Sequence, residues 1–267
     1  MARVVDDEGR QMWAGFSLGI AGSTHVGRVR KANQDAFDRF DDEERDEILL
    51  VVADGMGGHR GGEVASQMAV GTLGKLIRSQ SGDATERLRT ALVRANREIH
   101  RLGERDSMLR GMGTTAVALL LQPNGTAAIA HVGDSRLYRL RKGCFEPLTE
   151  DHSMVARWVK DGVIDEETAR THPQRNQIDR ALGAAESVEP ELQEIDLQAG
   201  DLFLLCSDGL TGMLEDDELQ RLSERSRDPY AIVAWMIDAA NQAGGMDNVT
   251  AFVARLDAPD PAGAGED

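Results

Sequence analysis

Two cysteines, few aromatic residues and no excess of basic charge narrow what this 267-residue chain can be. Two cysteines, Cys144 and Cys206, in a chain this long make no disulfide framework and show no zinc-type spacing. Cys206 lies inside the apolar run "LFLLCSDG" and reads as a small core residue. Aromatics make up 4% of the chain, so Val, Leu, Ile, Ala and Met must fill the core. Lys and Arg number 30 against 46 Asp and Glu, a net charge of −16 and a pI near 4.8. A broad nucleic-acid footprint is thereby excluded, because backbone binding needs a basic surface. The acidity suits plain solubility, or a protein that carries several divalent cations. No apolar run approaches the ~18 residues of a membrane span. The opening "MARVVDDEGRQ" brings acids at once and no apolar stretch after them, so no signal peptide is expected. A cytoplasmic, monomeric protein is the expectation. No repeat of about 20–50 residues is visible, which removes solenoids.

Residues 1–13 read as a polar lead-in. "GFSLGIAGSTHVG" has strand character, and "EILLVVAD" is a short buried strand. Residues 62–79 and 85–105 are amphipathic helices. Val64, Met68, Leu73, Leu76 and Ile77 share a face of the first; Leu88, Leu92, Ala95, Ile99 and Leu102 form the buried stripe of the second. Strands follow: "GTTAVALLLQ", then "TAAIAHVGDSRLYRLRKGCFEPLT" as strand, tight turn at Gly133–Asp134, strand, turn, strand. Residues 150–180 are polar, helical in patches and broken by Pro173, a pattern expected of an inserted flap. "GDLFLLCSDGL" is another apolar run, two helices follow it, "NVTAFVARL" is a last strand, and 258–267 is an acidic, disordered tail. Strands in two groups with paired helices indicate one α+β domain over residues 14–257.

The stretch "EILLVVADGMGGHRGGEVAS", residues 47–66, ends a greasy run in a carboxylate and then places five glycines within eight residues. One reading is a strand, a glycine turn and a helix, with Asp54 an ordinary turn residue. A second is a dinucleotide loop, but counting G-x-G-x-x-G from Gly55 puts Arg60 at the third glycine. A third is a metal site, since a hard cation takes oxygen ligands and a glycine loop offers bare carbonyls. Further carboxylates favour the third. Asp208 also ends an apolar run before a glycine, Asp247 precedes the last strand, Asp134 sits at the tip of a hairpin, and Asp35 lies in "RKANQDAF". Singly each passes as a turn or cap; five at the ends of apolar strands need partners. The six histidines are scattered, so soft coordination is unsupported, and an all-oxygen site indicates Mg²⁺ or Mn²⁺, with two ions sharing one carboxylate.

The segments "GRVRKANQDAF", "VVADGMGGHRGGEVAS", "GMGTTAVAL", "AHVGDSRLYRL", "LTEDHS", "HPQRNQIDRALG", "GDLFLLCSDGL" and "DNVTAFVARL" come in an order that resembles the metal-dependent protein phosphatases (PPM, type 2C serine/threonine phosphatases) in their bacterial form. They span roughly 17–256, nearly the whole chain. The resemblance implies a central antiparallel β-sandwich with helices outside both sheets and a metal cluster at one end. It makes Asp54 the carboxylate bridging two metals, with Gly55 lending its carbonyl to the second. Asp208 and Asp247 complete the first. Asp134 with Asp208 would hold a third ion in the bacterial form, and Asp35 would act near the second through water. Arg30 would hold the substrate phosphate; read alone, it is a surface arginine. Residues 150–180 correspond to the flap beside the site.

The chemistry needs no protein nucleophile: a water bridging two divalent ions can attack phosphorus while the ions neutralise and align the phosphate. Arg30 can grip phosphate oxygens in bidentate fashion. Neither cysteine has the context of a thiolate nucleophile. Two positions depart from the family pattern. "NQD" stands where relatives have an acidic pair, so Gln34 replaces a carboxylate. Met56 stands where eukaryotic relatives carry a histidine thought to protonate the leaving group. His59, three residues on, either takes that role or braces the glycine loop.

The reading is a phosphatase acting on phosphoserine and phosphothreonine of proteins, a bacterial-type serine/threonine kinase among its partners. One alternative is a catalytically weak phosphoprotein-binding module of the same fold, which loss of metal carboxylates would mark; Asp54, Asp208 and Asp247 are all present. Another is a metal-dependent phosphodiesterase acting on nucleotides.

Overall fold

Apolar runs become strands that are buried on both faces. The computed structural model describes residues 4–6, 11–58 and 60–259. The chain begins with β1 (Val4–Asp6), β2 (Gln11–Trp13), β3 (Phe16–His25), β4 (Asp35–Asp42) and β5 (Glu47–Met56). Two helices follow, α1 (Gly61–Ser79) and α2 (Ala84–Arg105). Next come β6 (Gly113–Thr114), β7 (Ala116–Leu121), β8 (Thr126–Val132), β9 (Arg136–Arg141) and β10 (Cys144–Pro147). The 150–180 segment carries α3 (Met154–Lys160) and α4 (Glu166–Thr171). The chain continues through β11 (Glu191–Asp196), β12 (Leu202–Cys206), α5 (Asp208–Thr211), α6 (Asp216–Glu224), α7 (Pro229–Gln242) and β13 (Val249–Asp257).

Every strand pairing is antiparallel among the described residues. One sheet runs β1-β3-β13-β12-β9-β10 with β2 also on β3; the other runs β11-β8-β7-β5-β4 with β6 on the end of β5. Alternation along β5 shows how an unbroken apolar run is used. Leu50 and Val52 face the space between the sheets with Phe37, Phe203 and Phe252. Leu49, Val51 and Ala53 face α1 and α2, meeting Leu73, Ile77, Leu88 and Ile99. In β12, Phe203 and Leu205 point inward while Leu204 and Cys206 meet Leu219, Ile232 and Met236 of α6 and α7. The result is helix, sheet, sheet, helix: the expected sandwich with helices on both faces.

Both long helices match their expected spans to within a residue, and Asp83 caps α2 by accepting from the N–H groups of Thr85 and Glu86. Three features differ from expectation. Residues 11–13 are not a lead-in: β2 pairs with β3, and Trp13 is buried between the sheets, its Nε1 donating to the Asp46 carbonyl at 2.9 Å. The charged strands β4 and β11 have no apolar alternation to announce them, because each closes an edge of its sheet, where charge is tolerated and discourages further pairing. The Gly133–Asp134 turn is not a hairpin tip. β8 belongs to one sheet and β9 to the other, so this turn carries the chain across the sandwich, with Gly133 at φ +107°. The expected tail lies mostly outside the described residues.

Replacing Trp13 tests whether the segment before residue 14 belongs to the fold. Trp13→Ala should lower the unfolding free energy by about 3–5 kcal/mol, measured by urea titration. A loss below about 1 kcal/mol, as for an exposed side chain, would return it to a lead-in.

Candidate metal centre

At one end of the sandwich, strand ends from both sheets bring five aspartates together. Asp54 lies near the end of β5, and Asp35 opens β4 directly opposite it in the register. Asp208 opens α5 just after β12, Asp247 stands just before β13, and Asp134 lies in the turn that crosses between the sheets. Their carboxyls perturb one another. Asp54 is held well above the usual carboxylate range by burial, then by the charges of Asp35 and Asp208 and a hydrogen bond with Asp208. Burial and the Asp208 charge raise Asp134. Burial raises Asp208, against the opposing hydrogen bond from Asp54. Burial pushes Asp35 up to about 7 despite hydrogen bonds from two hydroxyls. Buried like charges cannot all ionise unaided; the cluster needs protons or cations.

The backbone around the cluster is packed to the limit. A Cβ on Gly55 would lie 2.1 Å from the Gly62 carbonyl oxygen and 2.5 Å from that of Gln34. Glycine at 55 is therefore required by the close approach of the start of α1; lending a carbonyl to a metal does not demand it. A Cβ on Gly209 would lie 1.8 Å from the Asn248 carbonyl oxygen. That contact sets α5 against the 247–248 corner and brings Asp208 and Asp247 side by side.

A polar frame holds the loops. Asn248 Nδ2 donates to the carbonyls of Val26 and Ala32 at 3.0 and 2.9 Å, and its Oδ1 accepts from the Gln34 N–H at 2.8 Å. Asp35 Oδ2 accepts from the Ser207 and Thr250 hydroxyls at 2.8 and 2.6 Å. Thr115 Oγ1 accepts from the Asp54 N–H at 2.9 Å and meets Ser135 Oγ at 2.7 Å. These residues were not singled out from the sequence, although "CSDG" and "DNVT" contain three of them.

The expected site residues fall as follows. Asp54, Asp208, Asp247, Asp134 and Asp35 converge, with Gly55 beside them. Asp35 faces Ser207 and Thr250, on the Asp208–Asp247 side. Gln34 is the residue turned toward the glycine loop, its Nε2 donating to the Gly57 carbonyl at 3.3 Å. Arg30, half exposed, donates to Asp247 Oδ2 at 2.6 Å. Met56 is half-buried at the end of β5. His59 lies outside the described residues. Cys206 is buried with its thiol pushed up to about 12, which removes it as a nucleophile.

The donor set fits hard divalent cations. It is all oxygen and mostly ionisable to negative charge, and Asp35 Oδ1 and Asp208 Oδ1 are buried with no hydrogen-bond partner. Asp54 and Asp208 are close enough to share a hydrogen bond, and a centre for more than one ion spans more than one coordination sphere. Among the described residues, the ligand atoms of His131, His152 and Glu191 also lie within 4.8 Å of one another.

Known proteins share this sequence pattern and fold. The pattern of the family "Protein phosphatase 2C" matches residues 21–253. The serine/threonine phosphatase stp of Listeria monocytogenes is 38% identical over 239 residues, covering 88% of this chain and 94% of its own. The structure of the serine/threonine phosphatase Stp1 from Staphylococcus aureus superposes with a TM-score of 0.86 at 34% identity, covering 94% of this chain and 100% of that one. The catalytic domain of the serine/threonine protein phosphatase PstP, solved with two manganese ions, superposes with a TM-score of 0.80 at 35% identity, covering 90% and 98%.

A stability measurement probes the crowding directly. Asp35 in the folded protein holds a proton up to about pH 7, where the unfolded chain has released it. Folding therefore favours the protonated form. In chelator, the melting temperature should rise as pH falls from about 8 to about 6.5. Below that window the buried neutral His131 and His152 oppose the trend, because burial lowers their pKa values. Added Mn²⁺ should stabilise most at the alkaline end. A flat or falling profile on acidification would contradict a carboxyl at position 35 that is buried beside other acids.

Proposed function

The chain belongs to the protein phosphatase 2C family, and we infer from that membership and from the aspartate cluster that it hydrolyses phosphoserine and phosphothreonine on proteins in a metal-dependent reaction. The observation that carries the reading is five aspartates from two sheets at one end of the sandwich, with buried oxygens lacking partners. Asp54, Asp208 and Asp247 with the Gly55 carbonyl would hold two core ions, Mn²⁺ or Mg²⁺, and Asp134 with Asp208 a third. When bound, such ions supply an activated water and offset the charge of the phosphate. Asp35 holds Ser207 and Thr250 in line beside Asp208 and Asp247, bracing both carboxylates from behind. Arg30 keeps one guanidinium nitrogen on Asp247 and presents its remaining N–H groups to phosphate oxygens. That ion pair ties the phosphate grip to the carboxylate it works beside.

The substrates are phosphoproteins, a bacterial-type serine/threonine kinase among them, and the 150–180 segment is the flap beside the site. No helix among the described residues is long and apolar enough to cross a membrane; the cytoplasm is the compartment we assign, and a monomer the state.

Asp54→Asn and Asp208→Asn each remove a charged ligand while easing the crowding of the metal-free protein. Both should stay folded, yet phosphate release from a phosphothreonine peptide should fall on the order of 10²-fold or more, the scale of losing one electrostatic stabiliser. Full activity in either folded variant would refute the assignment. Gln34→Glu adds charge on the glycine-loop side, so the Mn²⁺ concentration for half-maximal activity should fall. An unchanged or higher requirement would show that position 34 does not face an ion.

A further inference from the structure

A second polar cluster lies behind the turn that carries Asp134. His131 on β8 and Glu191 on β11 are register partners, and His152 stacks on His131 with ring centroids 4.5 Å apart. Both imidazoles are buried, and Glu191 is 46% exposed. Ligand atoms this close raise the question of a metal. A cation is already present: Arg180 Nη1 lies 3.3 Å from His152 Nε2 and 3.4 Å from Glu191 Oε1. His131 Nε2 is engaged with the Glu150 carbonyl oxygen at 2.9 Å. The guanidinium supplies the positive charge that Glu191 needs, so the cluster has another use.

The tautomer of His152 follows from its partners. Its Nδ1 accepts from the Gly133 N–H at 3.1 Å, so the ring proton sits on Nε2 and is donated to Glu191 Oε1 at 3.0 Å. The His152 N–H donates to the Gly133 carbonyl at 3.0 Å. Both peptide groups of Gly133, one of them shared with Asp134, are thus held by His152. Behind it, the His152 carbonyl accepts from the Asp179 N–H at 2.7 Å, and the Met154 N–H donates to the Gln177 carbonyl at 3.0 Å. These bonds join the two ends of the 150–180 segment. On its far side the turn is fixed by the Ser135–Thr115 hydroxyl contact.

We propose that His152 is a positioning residue that clamps the Gly133–Asp134 turn to the base of the 150–180 segment, so that Asp134 faces Asp208 only while that base is in place. The proposal rests on the reading that Asp134 and Asp208 take a divalent ion. The segment next to the site then sets the affinity of that ion through one imidazole, with no contact of its own to the metal.

Paired substitutions separate the two ends of the ring. In His152→Asn the amide oxygen stands near the place of Nδ1 and still accepts from Gly133. In His152→Gln the side chain reaches Glu191 and leaves the Gly133 N–H unpaired. Calorimetric titration with Mn²⁺, with a melting curve for each protein, reads the outcome. His152→Gln should weaken the weakest Mn²⁺ step by about 10- to 100-fold, the usual effect of removing a group that orients a ligand; His152→Asn should stay within a few-fold of the parent. Without Glu191, Arg180 can donate to Nε2. The ring proton then moves to Nδ1 and the Gly133 N–H loses its acceptor, a loss the Asn amide oxygen cannot suffer. Glu191→Ala, at a half-exposed position, should therefore weaken the same step and decides the question if the His152 variants do not fold. Equal effects of Asn and Gln, or unchanged isotherms in His152→Gln or Glu191→Ala, overturn the proposal. So does a stoichiometric Zn²⁺ site in the parent that Glu191→Ala abolishes, since the cluster would then be a metal site itself. Asp134→Ala run alongside distinguishes the failures. If it keeps the weakest step, the assignment of Asp134 falls and the proposal with it. If it loses that step while His152→Gln keeps it, only the role of His152 falls.

Discussion

Mutual repulsion among five aspartates is the constraint on which the rest of this structure depends. Burial and neighbouring charge together raise Asp54, Asp134, Asp208 and Asp35, so the folded chain is under electrostatic load until cations arrive. An isolated loop would relieve that load by opening. Here the carboxylates are tied to strand ends of two sheets whose pairing is secured far from the site, so the cluster cannot disperse. Stability given up at one end of the sandwich is the condition for binding there, as expected where function requires charges the fold alone would avoid.

The core provides the counterweight. β5 and β12 bury side chains on both faces, so each supports an inter-sheet layer and a helix layer at once. Around the centre the bracing changes from apolar to polar. Asn248 joins three backbone groups of the 26–34 loop, Ser207 and Thr250 hold Asp35, and Thr115 links the Asp54 amide to Ser135. Small, fully engaged polar side chains suit this task, because they fix loop positions without adding charge to an acidic pocket.

Legibility in the sequence followed burial. The β5 run, the α2 stripe and the aspartates ending apolar runs are visible because burial forces a pattern onto residue choice. The edge strands β4 and β11 are not, since an edge exposed to water imposes no alternation. Tight turns hid more. A glycine turn between two strands reads equally as a hairpin or a crossing, and only the partners of β8 and β9 show that residues 133–135 pass from sheet to sheet. At Gly55 the steric demand of Gly62 on a side chain shows only in the packing. Which of Gln34 and Asp35 turns toward the glycine loop depends on the parity of β4, and so escaped a reading that had not recognised the strand. The framing hydroxyls and Asn248 were inside recognised motifs but carry no charge to single them out.

Cations that offset this repulsion are the central claim, and phosphate release from a phosphothreonine peptide tests it most directly. The purified protein should be inactive in excess chelator and recover on addition of Mn²⁺, while a nucleotide phosphodiester stays uncleaved. Release that persists in chelator, or that fails to appear with Mn²⁺ in a folded protein, would contradict the account.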